Sequence, residues 1–454
     1  MTGEPLSDAD LAARVQELLP EIRADLEKLV RIPSIAFEGF DHSHVQRSAE
    51  LTADLFRAAG MPDVRILSAP GGQPAVVARR PAPPGAPTVL LYAHHDVQPP
   101  GDLDEWDSPP FEPTERNGRL YGRGAADDKA GIAAHLAALR AHGDALPVGV
   151  TVFIEGEEEC GSATLEAVLK EHRDLLAADV IVIADSGNWA VGQPALTTSL
   201  RGLVNSIVEV RTLEHSVHSG MFGGAAPDAL TSLCRLLATL HDDAGDVAVE
   251  GLVTAGPTQV DMSEKQFREE SSLLDGVQLI GTGSITERIW SKPAITVIGI
   301  DCPSVQEASN TLLPYARAKV SMRLAPGQDP EAAHQALADH LTRHAPWGVQ
   351  VTVRAAELGA PYAINATGPA YDAAREAFRE AWDGTDPVDI GVGGSIPFIA
   401  AFAETFPDAA ILVTGVEDPD SRAHGVNESL HLGEFARVCL AETLLLAKLG
   451  RLPR

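Results

Sequence analysis

Residues 88–96 read T-V-L-L-Y-A-H-H-D, a short apolar run that ends in two imidazoles and a carboxylate. The run follows P-A-P-P-G-A-P at 81–87, a rigid turn. A short apolar stretch bounded by turn residues reads as a strand buried on both faces. Three more runs end in the same kind of chemistry. Val148–Ile154 leads into Glu155, Gly156, Glu157, Glu158 and Glu159, Val180–Ala184 stops at Asp185, and Ala410–Thr414 precedes a loop that holds His424. Helical stretches separate these strands, which predicts an α/β fold: a mixed, mostly parallel sheet with helices on both faces. In such sheets ligands sit beyond the carboxyl ends of the strands, so groups far apart in sequence can converge there.

Working outward, Leu11, Val15, Leu18, Leu19, Ile22, Leu26 and Leu29 give residues 8–31 a helical period, with Pro20 expected to kink or split the helix. Ser48–Ala59 reads as a second helix closed by Gly60, and Ala75–Ala78 as a further strand. The texture changes near Leu200. Leu203–Val210, Ala294–Gly299 and Ala316–Arg323 read as strands, and Asp228–Leu240 and Pro330–His344 as helices. The α/β texture returns after about Pro361, with helices at Tyr371–Trp382 and Leu432–Leu449. A chain of 454 residues also exceeds one core, since cores stop growing near ~250–300 residues. The expected organisation is an α/β domain over 1–199 and 359–454, interrupted by an inserted α+β, ferredoxin-like domain over 200–358.

A net charge of -29 argues against nucleic acid or an anionic membrane as partner, since both need stripes of Lys and Arg. Cys160, Cys234, Cys302 and Cys439 are widely spaced and form no C-x-x-C, which reads as reduced thiols in a cytoplasmic protein. The acidic, amphipathic start MTGEPLSDADLAARVQELL is not a signal peptide, and no run of 18 apolar residues is present.

The stretch YGRGAADD at 121–128 precedes a helix whose apolar face is Ile132, Ala133, Leu136 and Leu139. It lacks the third glycine and the preceding strand of a dinucleotide fingerprint. Its glycines instead allow a tight bend that presents Asp127 at a helix start. Singly, each group has a plain reading: a core histidine, a solvated glutamate run, an Asp127–Asp128 helix cap. Together they gather two histidines and several carboxylates at one end of a sheet. Such crowding is relieved by protonation or by cations, and mixed imidazole and carboxylate ligands suit zinc, or manganese where oxygen dominates.

Four motifs in order, LYAHHDVQP at 91–99, YGRGAADDK at 121–129, EGEEECGS at 155–162 and HSGMFGG at 218–224, resemble the co-catalytic metallopeptidases related to aminoacylase, carboxypeptidase G and carnosine dipeptidase. VQP and HSGMFGG are most similar to the cytosolic nonspecific dipeptidase branch. The resemblance implies two divalent metal ions, with His94 and Asp185 on one, Glu159 and His424 on the other, and Asp127 bridging both ahead of a cis bond to Asp128. It implies Asp96 behind His94 and Glu158 as general base toward a water shared by the metals. His218 would supply the oxyanion donor across a homodimer interface, the inserted domain serving as dimerisation and lid element. Asn310, Arg323, Gly394 and Ser395 would bind substrate, Arg323 by pairing bidentately with the C-terminal carboxylate.

Two departures stand against the resemblance. Ala93 replaces the usual Gly before the metal histidine, and Gly391 and Val392 replace the Arg and the acidic or small residue common before Gly-Gly-Ser. The second bears on carboxylate recognition. The expected activity is hydrolysis of dipeptides or short peptides. An N-acyl-amino-acid deacylase on the same site and an inactive binding protein remain as alternatives. The absence of G-x-S-x-G, with Ile396-Pro397 after Gly394-Ser395 in place of a helix-starting elbow, argues against a serine hydrolase.

Overall fold

Strand Thr88–His94 lies between Gly149–Glu155 and Val180–Ile183, parallel to both, in the computed structural model, which describes residues 6–393 and 397–452. Ala410–Val413 continues the parallel set beside Val180–Ile183. Antiparallel pairings flank it: Ala75–Arg80, with Asp63–Leu67 antiparallel to it at the outer edge, on one side, and Ala195–Leu200 on the other. The four parallel strands are buried almost throughout, as their unbroken Val, Ile and Leu runs require. All four parallel strands therefore end on the same side.

Helices Asp8–Val30, Lys129–His142, Pro369–Ala381 and Leu432–Leu449 pack on one another and on this sheet. Pro20 does not split the first helix. It is exposed, as is Gln16 one turn back, so the carbonyl that loses its N–H partner can turn to water. The second helix runs Ser43–Ala58, starting earlier than its apolar spacing suggests because Val45 already faces the core. Beneath the strand ends, Tyr92 stacks on Phe398 at 4.5 Å, with Phe153 and Phe402 around it.

The chain separates into two compact units: Met1–Thr198, Asn365–Ile390 and Phe398–Arg454 form the first, and Ser199–Ile364 with Gly391–Pro397 the second. In the second unit four antiparallel strands lie in the order Ala294–Asp301, Tyr315–Leu324, Gly202–Arg211, Gln350–Gly359. Taken with helices Ala229–Leu237 and Pro330–Arg343, this is the ferredoxin-like arrangement. One face of the sheet, with Val204, Val208, Val320 and Met322, packs with Leu233, Leu236, Leu337 and Leu341 of the two helices. The edge strand Ala294–Asp301 exposes Val297, Ile298 and Ile300. Among the described residues no helix is long and apolar enough to cross a membrane, and all four cysteines are unpaired.

Candidate metal centre

The carboxyl ends of the parallel strands deliver their side chains to one place in the first unit. His94 is the last residue of its strand and fully buried. Asp127 arrives from the turn before helix Lys129–His142, where Gly124 takes φ +80 and a Cβ would lie 2.5 Å from Val97. Only glycine fits there. The Asp127–Asp128 bond is cis. Asp128 stands at the helix N-cap but makes no side-chain capping bond, so capping does not explain the pair.

Asp127 presents one carboxylate oxygen to each of two imidazoles. Its Oδ1 lies 3.0 Å from His94 Nε2, and its Oδ2 lies 3.1 Å from His424 Nε2. Glu159 Oε2 is also 3.1 Å from His424 Nε2, while Asp185 Oδ1 and Glu158 Oε2 are 3.8 and 3.9 Å from His94 Nε2. Ligand atoms of His94, Asp127 and Glu159 lie within 4.8 Å of one another, as do those of His94, Asp128 and Asp185. The second triad brings in Asp128, which sequence reading left as a neighbour. It is buried, accepts the His94 N–H through Oδ2 (3.2 Å), and its Oδ1 has no hydrogen-bond partner.

The charge balance follows from the crowding. Burial, then Asp185 and other carboxylates, lifts Glu158 well above the usual carboxylate range. Burial and then Asp127 raise Glu159 to about 7. Burial also acts to raise Asp127, but hydrogen bonds with His424 and His94 outweigh it and hold the group low. Bonds to Asp127 and then Glu159 raise His424 to about 11. Burial works against charge on His94, yet its bonds to Asp127, Asp185 and Asp96 carry it well above the ordinary histidine range. A carboxylate with an imidazole at each oxygen, flanked by Glu159 on one side and Asp185 on the other, is a donor set that fits two divalent cations.

The surroundings hold these groups in register. His94 Nδ1 is 3.1 Å from the Asp96 carbonyl and 3.5 Å from its carboxylate Oδ1. The Asp96 carboxylate also accepts the N–H groups of Glu158 (3.2 Å) and Glu159 (3.0 Å), so one side chain serves both His94 and the glutamate turn. His95 faces away, bonding the Pro74 carbonyl at 2.8 Å, and burial lowers it to about 4. Sequence reading missed Glu428. This buried carboxylate takes Arg123 Nη1 (2.7 Å) and the N–H groups of Gly124, Ala126 and Asp127. Arg123 Nη2 in turn donates to the Gly425 carbonyl at 2.9 Å. The turn carrying Asp127 and the loop carrying His424 are thus tied together. Its only sequence signal is the position of Glu428 four residues after His424.

In the second unit His218 and Asn310 lie side by side. Strand Val217–His218 pairs with Thr311–Leu312, and Ser219 N–H donates to the Asn310 carbonyl at 2.9 Å. His218 caps its own loop by accepting the Gly220 N–H on Nδ1 (3.0 Å), which leaves Nε2 as the donor on an exposed ring. Arg323 stands near the end of strand Tyr315–Leu324. Gly394 and Ser395 lie outside the described residues.

A family model described as Peptidase family M20/M25/M40 matches residues 90–447. The cysteinylglycine-S-conjugate dipeptidase of Corynebacterium striatum is 38% identical over 372 residues, covering 81% of this chain and 82% of that protein. The Beta-Ala-His dipeptidase of Homo sapiens is 30% identical over 397 residues, 82% of this chain and 76% of that one. The crystal structure of human carnosine dipeptidase 1 is similar at a TM-score of 0.78 and 26% identity, over 99% of this chain and 100% of that chain.

Proposed function

This chain belongs to peptidase family M20/M25/M40, and from that membership we propose that it is a metal-dependent dipeptidase acting on dipeptides or very short peptides. The observation that carries the reading is Asp127 held between His94 and His424, with the Glu158 carboxylate beside the cluster at 3.9 Å from His94 Nε2. The curated relatives at 38% and 30% identity bear dipeptidase names, which favours dipeptides over acylated amino acids.

The metal ligands are His94, Asp127, Glu159, Asp185 and His424, for two cations, zinc first and manganese second. When bound, the cations polarise the scissile carbonyl and make the attacking water more acidic. Glu158, whose carboxylate lies beside the cluster, takes the proton of that water and returns it to the leaving amine. Asp96 keeps the His94 ring and the Glu158 backbone in place. His218 donates from Nε2 to the oxyanion, its Nδ1 being engaged by Gly220. Asn310, Arg323, Gly394 and Ser395 hold the substrate. The working form is a homodimer in which His218 serves the partner's site. The exposed apolar residues of edge strand Ala294–Asp301 support such an interface. Four unpaired cysteines support a reducing, cytoplasmic setting.

The test is amine release from a panel of dipeptides and N-acetyl amino acids with zinc or manganese. Cleavage of dipeptides supports the reading. Cleavage of acetylated substrates alone moves the protein to the deacylases, and inactivity on both overturns an enzymatic role toward either class.

A further inference from the structure

Covalent geometry fixes where a dipeptidase has to read the amino end of its substrate. The ammonium nitrogen of a dipeptide is two bonds from the scissile carbon, about 2.5 Å away. A receptor for that charge has to stand beside the metal ligands, in the first unit. It has to be an acidic group that is neither a ligand nor already satisfied, and that substrate can reach. The neighbouring carboxylates fail one condition or another. Asp96 and Glu428 hold main-chain N–H groups. Glu155 accepts the Tyr92 hydroxyl at 2.7 Å, and Glu157 accepts the N–H groups of Gln73 and Thr164. Asp418 is gripped by both Nη atoms of Arg119, at 3.1 and 2.9 Å. Asp128 has an oxygen without a partner but is only 1% exposed, closed to a ligand.

Glu417 meets every condition. It follows strand Ala410–Val413, which runs parallel to Val180–Ile183. Past the strand ends the pairing resumes as a single parallel bridge between Glu417 and Gly187. Glu417 N–H donates to the Ser186 carbonyl at 3.4 Å, and Asn188 N–H donates to the Glu417 carbonyl at 2.8 Å. Glu417 is thereby held against the residues that directly follow Asp185. A Cβ on Gly187 would lie 3.3 Å from the Glu417 Cβ, so the glycine leaves that side chain its room. Glu417 is half-buried, and its carboxylate has no hydrogen bond or ion pair among the described residues. It lies in the field of both halves of the centre. Burial first, then Asp127 and Asp185, lift it well above the usual carboxylate range, and His424 acts the other way. A carboxylate so placed is stable as an anion when a cation joins it.

We propose that Glu417 is a specificity-determining residue, the receptor for the substrate's ammonium group, and that it sets dipeptides apart from N-acyl amino acids. The inference rests on the dipeptidase reading and deepens it. An acylated substrate of the same shape brings no positive charge and leaves the Glu417 carboxylate unanswered, which costs binding.

The experiment titrates the full zinc-loaded chain, carrying Glu158→Gln to block turnover, with alanylglycine and with propionylglycine, which differs only in lacking the ammonium. Alanylglycine is expected to bind about 10- to 100-fold more tightly, the range of a charge-assisted hydrogen bond. Adding Glu417→Gln, which keeps the shape and removes the charge, should bring the two ligands together while the chain still holds two zinc ions. In the otherwise native enzyme the loss should fall on KM. If Glu417→Gln fails to fold, Glu417→Asp is read instead; it withdraws the carboxylate by one methylene and should lose part of the discrimination. Equal binding of both ligands by the parent chain overturns the proposal, as does discrimination that survives in the folded variant. A variant that loses a zinc ion also overturns it, by making Glu417 a ligand. Discrimination that depends on Glu417 in a chain that cleaves no dipeptide would keep the receptor and remove the dipeptidase reading. Dipeptide cleavage with discrimination untouched by Glu417→Gln would do the reverse.

Discussion

The Glu428 carboxylate accepts the main-chain N–H of Asp127 through Oε1 at 3.1 Å. The same carboxylate pairs with buried Arg123, which holds the Gly425 carbonyl next to His424. Both loops of the metal centre therefore depend on one buried ion pair. Removing one partner leaves an uncompensated charge, so Glu428→Ala should cost about 3–5 kcal/mol in a denaturant titration. Cation affinity should fall about 10- to 100-fold in competition with a chelating dye. Unchanged affinity in the folded variant would contradict this role.

Glu158 lies 3.9 Å from His94 Nε2, close enough to serve the reacting water without supplying a ligand. Glu158→Gln keeps the shape and removes the base. We expect kcat to fall by about 10²- to 10⁴-fold while bound metal and dipeptide affinity stay near wild type. A variant that loses metal along with activity would mark Glu158 as a ligand.

The dimer proposal makes a prediction that neither subunit can meet alone. His218→Ala and Glu158→Gln chains should each be nearly inactive. Mixed and allowed to exchange, they should recover roughly a quarter of wild-type activity, because half of the dimers are mixed and each holds one complete site under two-fold symmetry. No recovery after confirmed exchange would place His218 in its own subunit's site.

Asp246 gives a pH-dependent stability signature in the second unit. It accepts the Thr282 N–H and hydroxyl, and Lys292 Nζ at 2.9 Å. The Thr282 hydroxyl first, with Lys292 adding to it, lowers Asp246 from 3.8 to about 2. A depressed folded value means the contribution is present above pH 3.8 and lost as pH falls through about 2. With its partial exposure discounted, Asp246→Asn should cost about 1–2 kcal/mol at neutral pH. Denaturation of both proteins from pH 7 downward checks this: the gap should close in acid, and a constant gap would contradict the charge-based account.

The strand ends are legible because burial on both faces forces unbroken apolar runs, and His94, Asp185 and Glu158 stand at or just beyond such boundaries. Strand Gln350–Gly359 was not, since it is an edge strand with mostly exposed side chains and no apolar run to announce it. Pro20 misled for a related reason: its sequence neighbours do not reveal that the broken bond faces solvent. Glu428 is invisible singly, since it matters through the four donors the fold places beside it. The sequence offers Asp128 as half of a helix-cap pair and as the partner of a cis bond, yet it is buried beside His94.

The most direct test of the account is a metal titration. The full chain is stripped with a chelator, zinc or manganese is added back in measured steps, and dipeptide cleavage is followed beside bound metal. The account predicts no cleavage by the stripped chain and full activity as the second ion per chain binds. Cleavage by the stripped chain, or a chain that binds two ions and still cleaves no dipeptide, would contradict it.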